Sequence, residues 1–169
     1  DWSGRPVRRL LSEAHEFRVG NHGYTIPIHG PNGQFAMITS APTPRIDDSY
    51  TSKRAHILNL SSGNWLAVET PGKIGDIEIS PDSTRLSMIA AVDQNDPAPT
   101  TLYLVDTRTG TYSAVNEGAA EAAVDAEWLA DGRLAAVIHK GAQSSLRLYN
   151  SDGSVVGEYP GGELILTSV

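Results

Sequence analysis

The sequence contains no cysteine among its 169 residues. That absence excludes disulfide bonds, thiolate metal ligands and a cysteine nucleophile, and it is compatible with both the cytoplasm and the bacterial periplasm. No apolar run approaches the roughly 20 residues that a membrane-spanning helix needs. We therefore expect no membrane span, and the localisation stays open.

Basic residues are also few. Lys and Arg number 13 against 20 Asp and Glu, and the resulting net charge of -7 argues against a nucleic-acid binder, which needs a concentrated basic face. The one basic cluster (Arg5, Arg8 and Arg9) is diluted by Glu13 and Glu16, as on a solvated helix face. We expect no nucleic-acid partner.

The motifs of catalysis and metal binding are missing as well. No G-x-S-x-G elbow is present for a serine nucleophile, and the histidines form no H-E-x-x-H pair. The acidic stretches at Asp47–Asp48 and Asp93–Asp96 do not follow the spacing of a twelve-residue calcium loop. The sequence thus predicts no enzyme, no catalytic residue, no metal and no cofactor.

The spacing of apolar and turn-forming residues predicts one helix and many strands. Residues 5–19 carry apolar side chains at spacings of three and four, with Pro6 suited to a first turn and glycine following at 20. Beyond them, short runs rich in Val, Ile, Leu, Thr and Tyr alternate with Gly, Pro, Asn and Asp, which is typical of strands and turns.

The strands repeat in units of four. The stretches HILNLSSGNWLAVE, LYLVDTRTGTYSAV and LRLYNSDGSVVGEY each contain a strand, a polar turn with glycine and a second strand. Their turn glycines are Gly63, Gly110 and Gly153, and between them lie further strand pairs around Asp82 and Asp131. A four-stranded unit that recurs about every 45 residues is typical of propeller blades.

The predicted fold is therefore mainly β: about three four-stranded propeller-like blades, forming an incomplete propeller, with one N-terminal α-helix. The predicted divisions are an N-terminal helical segment at 1–22, a first blade-like unit at 23–70, a second blade at 74–117, a third blade at 123–159, and the first strand of a further blade at 160–169.

Residues 54–169 resemble the WD-like repeats of TolB-type β-propellers. The matching motifs are Ser80-Pro81-Asp82, Leu102-Tyr103-Leu104-Val105-Asp106 and Thr109-Gly110. Such propellers occur in TolB, in prolyl-oligopeptidase-like peptidases and in many binding proteins, so the resemblance implies the fold and says little about activity.

Residues 1–41 resemble the later half of the autoinducer-binding domain of LuxR-type quorum-sensing regulators. The residues that fall on the family's motif are Trp2, Gly23, Thr25, Pro27, His29, Gly30 and Gly33, with Gln34 where glutamate is commoner. The resemblance implies that an acyl-homoserine-lactone pocket would be lined by Trp2, Thr25, Phe35, Met37 and Thr39.

The same stretch also fits the first hairpin of a blade. The family's upstream elements and its DNA-binding helix-turn-helix have no counterpart in this sequence, and GYTIPIHGPNGQFAMITSA aligns with GDIEISPDSTRLSMIAAV as strand, turn and strand. The change of resemblance between residues 41 and 54 indicates a fusion or chimera.

The function predicted from these patterns is a non-catalytic binding or scaffold module for protein–protein interaction. Propellers bind through loops at one end, which here include those around Asp47, Asp93 and Gly118. Self-association would cover open sheet faces, unless the chain is a fragment. The alternatives are a truncated LuxR-type sensor that binds a small acyl ligand and the propeller fragment of a prolyl-oligopeptidase-like peptidase.

Overall fold

The structure is a computed structural model that describes residues 28–29, 33–43, 45–95, 98–116 and 120–169. The helical segment predicted at 1–22 lies outside these residues. The described elements are β1 (Ile28–His29), β2 (Phe35–Ser40), α1 (Ile46–Thr51), β3 (Arg54–Asn59), β4 (Trp65–Val68), β5 (Ile74–Ile79), β6 (Arg85–Ala91), β7 (Thr100–Asp106), β8 (Tyr112–Ala114), β9 (Ala122–Trp128), β10 (Leu134–Lys140), β11 (Gln143–Tyr149) and β12 (Val155–Pro160).

The strands form three antiparallel sheets of four. Each sheet consists of consecutive strands, β1–β4, β5–β8 and β9–β12, paired in sequence order. This arrangement confirms the prediction of a mainly β chain with three four-stranded propeller-like units. The domain divisions given above stay a prediction.

The central strands of the second sheet, β6 and β7, are buried on both faces because their side chains alternate between two cores. On β6, Leu86 and Met88 pack toward the first sheet, whereas Ile89 packs toward the third. On β7, Val105 and Leu104 divide in the same way. A strand that is covered on both faces reads as a continuous apolar run, which is why the sequence of β7 does not alternate with polar residues.

The three glycines predicted to lie in turns adopt a left-handed backbone conformation. Gly63, Gly110 and Gly153 have φ angles of 73°, 71° and 89°, in the left-handed region that favours glycine. A side chain stabilises the turn that ends at Gly63 and the turn that ends at Gly110. In the first, Oδ1 of Asn59 accepts two backbone N–H hydrogen bonds, and in the second Oδ1 of Asp106 does the same. Local hydrogen bonds of this kind explain why the pattern was visible in sequence.

The turn between β5 and β6 reaches the same conformation without glycine. Ser83 has φ of 60°, and its side chain is buried. Oδ1 of the preceding Asp82 accepts hydrogen bonds from the N–H of Thr84 and from the hydroxyl of Ser80, which fixes the turn. A left-handed serine is a local cost that the surrounding hydrogen bonds offset.

No strand follows β12 in the described part of the chain, although residues 160–169 were expected to begin a further blade. The segment crosses the third sheet instead of extending alongside it. The N–H of Leu166 bonds Oγ of Ser144 on β11, and the N–H of Val169 bonds Oδ2 of Asp125 on β9. A segment that runs across the strands and makes single hydrogen bonds to them cannot also pair along the length of one strand.

Candidate functional site

Connections of the first two sheets meet at one end of the strands, which we call the loop end. The strands of each sheet are antiparallel and consecutive, and contacts join the β2–β3, β4–β5 and β6–β7 connections at this end. Asp47 and Asp93, two of the predicted binding-loop residues, lie in these connections. The third, Gly118, lies outside the described residues.

Side chains tie the neighbouring connections together. The ammonium of Lys73, just before β5, sits 4.0 Å from the centroid of the Tyr50 ring on α1, a cation–π contact. The side-chain amide of Gln94, after β6, donates to the carbonyl of Pro71 at 2.7 Å. These contacts join the connections of the first two sheets into one surface.

Gly72 allows two of these connections to touch. A Cβ built at this position would lie 1.9 Å from the carbonyl oxygen of Asp93, which is backbone and cannot swing away. A side chain at position 72 would therefore push the β6–β7 connection away from the β4–β5 connection.

Large apolar side chains are exposed at the loop end. Ile46 and Tyr50, both on α1, have 76% and 61% of their surface accessible, and Val92 has 39%. Helix α1 carries Asp47 and Asp48 in its first turn, where the helix dipole favours negative charge. Asp48 also accepts a hydrogen bond from the hydroxyl of Thr43. This short helix therefore exposes two large apolar side chains beside two carboxylates.

Acidic side chains lie on β5 and β9, the first strands of the second and third sheets. Burial raises the pKa of Glu78 on β5, and the neighbouring carboxylates Glu127, Asp125 and Asp76 raise it further. The hydrogen bond from the backbone N–H of Trp128 acts in the opposite direction. In the described part of the chain, no group of three or more His, Asp or Glu side chains is arranged to hold a metal ion.

A partly buried ion-pair network occupies the third sheet. Arg147 on β11 donates to Glu121 and to Glu158, with N···O distances of 3.0 Å to each. The side chains of Arg147 and Glu121 are only 13% and 14% exposed, whereas that of Glu158 is 46% exposed. The hydrogen bond from Arg147 holds the pKa of Glu121 below its ordinary value, and the hydroxyl of Ser145 followed by Arg147 does the same for Glu158.

Three of the five residues predicted to line an acyl-lactone pocket are described. Phe35, Met37 and Thr39 alternate along β2 and share one face. Met37 is 2% exposed and belongs to the core between the first and second sheets, with Phe35 packed against that core. Trp2 and Thr25 lie outside the described residues, so the ligand role of the set stays a prediction.

The two resemblances inferred from the sequence are both confirmed by comparison with known proteins. A family model for the autoinducer-binding domain matches residues 1–67, fewer than half of the chain. No curated protein sequence matches the chain.

Among the described residues, no helix is long and apolar enough to cross a membrane.

Solved structures share the propeller fold. The β-propeller domain of the Trilobed protease from Pyrococcus furiosus, described as having an open velcro topology, matches with a TM-score of 0.60 and 17% identity over 80% of this chain and 42% of that one. A puromycin-hydrolyzing peptidase of Mycobacterium tuberculosis gives 0.57 and 18% over 84% and 22%. TolB from Acinetobacter baumannii gives 0.52 and 12% over 81% and 32%. The chain thus spans less than half the length of these structures.

The expectation that the chain is not an enzyme is corrected by these matches. Structures with this fold include a protease, a peptidase and an oligogalacturonate lyase. The missing catalytic motifs therefore do not exclude an enzymatic context, because propellers occur within enzymes. Identities below 20% show the fold, and a fold by itself does not assign an activity.

Proposed function

We propose that this chain is a propeller-type binding module that recognises a protein segment at its loop end. The observation that carries the proposal is the exposure of Ile46 and Tyr50 on α1, a helix held in place by contacts between connections. Exposed apolar side chains on an anchored element, rimmed by carboxylates, are typical of protein-binding surfaces. Aromatic side chains in particular contribute much of the binding energy in such surfaces.

The test is a selection of random peptides displayed on phage against the full chain. We expect the enriched peptides to bind the wild type and to lose about tenfold or more in affinity, equivalent to about 1.4 kcal/mol, for Ile46→Asp and Tyr50→Ala. Leu60→Asp is the matched control, since Leu60 is 43% exposed at the opposite end of the strands, between β3 and β4. Peptides that bind all of these variants equally, or a selection without enrichment, would contradict the proposal.

A second candidate is the binding of an acyl-homoserine lactone, which the family match over residues 1–67 favours. Phe35, which is only partly buried, would supply an apolar wall, and the hydroxyl of Thr39 would bond a polar group of the ligand. Lactones of several chain lengths should then raise the melting temperature of the full chain, because a ligand that binds the native state stabilises it. Thr39→Val should reduce this rise while Thr84→Val, in the β5–β6 turn, leaves it unchanged; no rise at saturating lactone removes this candidate.

A further inference from the structure

A cavity of about 450 Å³ opens beside the ion-pair network of the third sheet, and we call it the Arg147 cleft. Its volume lies in the range of small-molecule sites. It is independent of the apolar surface on α1. The lining comes from β10 to β12 and from the segments before β9 and after β12. It includes the charged and amide side chains of Glu121, Lys140, Gln143, Arg147 and Glu158, two serine hydroxyls and the apolar Ile138 and Pro160.

Two opposite charges at the mouth of the cleft retain binding capacity. The side chain of Lys140 is 67% exposed, and its ammonium forms an ion pair with Glu121 at 3.7 Å without a hydrogen bond, so its N–H groups can still donate to a ligand. Glu158 accepts hydrogen bonds from Ser145 and Arg147 on Oε1 only, which leaves Oε2 without a hydrogen bond in the described part of the chain. The cleft therefore offers one cation and one carboxylate oxygen to an incoming ligand.

The lining disfavours the other common classes of polar ligand. A divalent cation would have to displace Arg147 from both carboxylates. A phosphate at the Lys140 ammonium would be repelled by Glu121 and Glu158, and it brings no positive charge of its own to pair with them, as a zwitterion does. Among the described residues, no aromatic ring lines the cleft to stack against a sugar. Pro160 offers an exposed apolar surface beside the charges.

We propose that the Arg147 cleft binds a zwitterionic ligand of the dipeptide class. The ligand's carboxylate pairs with Lys140, its ammonium pairs with Oε2 of Glu158, and the exposed carboxamide of Gln143 bonds the peptide group between them. Both charged ends of the ligand are recognised, so the arrangement discriminates against a peptide blocked at either end, since the unmatched charge would stay unpaired. This proposal does not depend on the binding surface at α1.

The experiment titrates the full chain with the dipeptide Ala-Leu, followed by calorimetry and by NMR shifts of residues around the cleft. We expect Ala-Leu to bind saturably and both its N-acetylated and its C-amidated forms to bind about tenfold or more weakly. Lys140→Met should remove the preference over the amidated form, and Glu158→Gln should remove the preference over the acetylated form. Glu158→Gln retains an oxygen for Ser145 and Arg147, so the network should stay folded.

Arg133→Met serves as the matched control, because Arg133 is an exposed cation paired with Asp131 at the opposite end of the third sheet. It should leave all three affinities unchanged. The proposal is overturned if Ala-Leu produces no saturable binding, if the blocked peptides bind as well as Ala-Leu, or if Lys140→Met and Glu158→Gln keep the wild-type preferences. The peptide selection at the loop end can succeed or fail separately, since it uses variants of α1.

Discussion

Glu78 on β5 accepts a hydrogen bond from the backbone N–H of Trp128 on β9, with 3.2 Å between Oε2 and the nitrogen. The two residues are 50 positions apart in the sequence. Their hydrogen bond joins β5 and β9, the first strands of the second and third sheets. The carboxylate is half-buried and faces three others, Asp76, Asp125 and Glu127. One polar contact between the two sheets, beside their shared apolar core, is therefore made by a carboxylate whose negative charge is unfavourable in its surroundings.

Glu78→Gln should stabilise the protein at neutral pH. A carboxyl whose pKa is raised on folding binds its proton more tightly in the native state, so stability falls as the pH rises from the unfolded pKa near 4.5 through the folded pKa. Glutamine keeps an oxygen for the N–H of Trp128 and removes the charge. Urea unfolding at neutral pH should show a higher free energy for the variant than for the wild type.

The advantage of Glu78→Gln should shrink below the unfolded pKa, where both chains are uncharged at this position. Glu163→Gln, which removes an exposed carboxylate in the segment after β12, is the matched control and should show neither effect. An advantage for Glu78→Gln that is independent of pH would contradict the electrostatic explanation.

Ser83→Gly should stabilise the protein by about 0.5–1 kcal/mol. A left-handed conformation costs a residue with Cβ roughly 1–2 kcal/mol, and the greater freedom of glycine in the unfolded chain offsets part of the gain. Urea unfolding measures the difference. Ser83→Ala is the matched control, because it removes the hydroxyl, which has no partner in the described structure, and keeps the strained φ. Equal stability of the two variants would mean that the backbone conformation is not strained.

Glu121→Gln should destabilise the protein by about 1.5–3 kcal/mol at neutral pH, the usual contribution of hydrogen bonds to charged groups. Arg147 lowers the pKa of Glu121 in the folded state, so this contribution is present above the unfolded pKa near 4.5 and is lost as the pH falls through the folded pKa. The cost measured by urea unfolding should therefore decrease in acid.

Glu69→Gln is the control for this ion pair. Glu69 is 81% exposed and lies 3.9 Å from Arg54, and a surface pair of that kind contributes little. If both substitutions had equal effects on the free energy of unfolding, the network around Arg147 would be no stronger than a surface ion pair.

The local features of this fold could be predicted from the sequence. The turns at Gly63, Gly110 and Gly153 depend on hydrogen bonds within a few residues, and strand periodicity is likewise a property of neighbouring positions. Because each sheet contains only consecutive strands, a correct series of hairpins was sufficient to predict the three sheets.

Features that join distant segments could not be predicted in this way. Arg147 and Glu121 are 26 positions apart, and only the register of β9, β10 and β11 brings them together. The segment after β12 is rich in strand-forming residues, yet its backbone bonds Ser144 and Asp125 crosswise. The approach of Gly72 to Asp93 also depends on how two sheets are positioned, which no local pattern encodes.

The pairing of strands in sequence order determines how the protein should respond to mechanical force. In the described part of the chain no strand pairs outside its own sheet, so no hydrogen-bonded ladder clamps one end of the molecule to the other. Stretching in an optical trap should therefore release the sheets one after another. Each sheet of about 40 residues would lengthen the tether by roughly 14 nm when fully extended, less its folded width. A protein of this design yields in steps, and the tension at each step reports how firmly one sheet packs against the next.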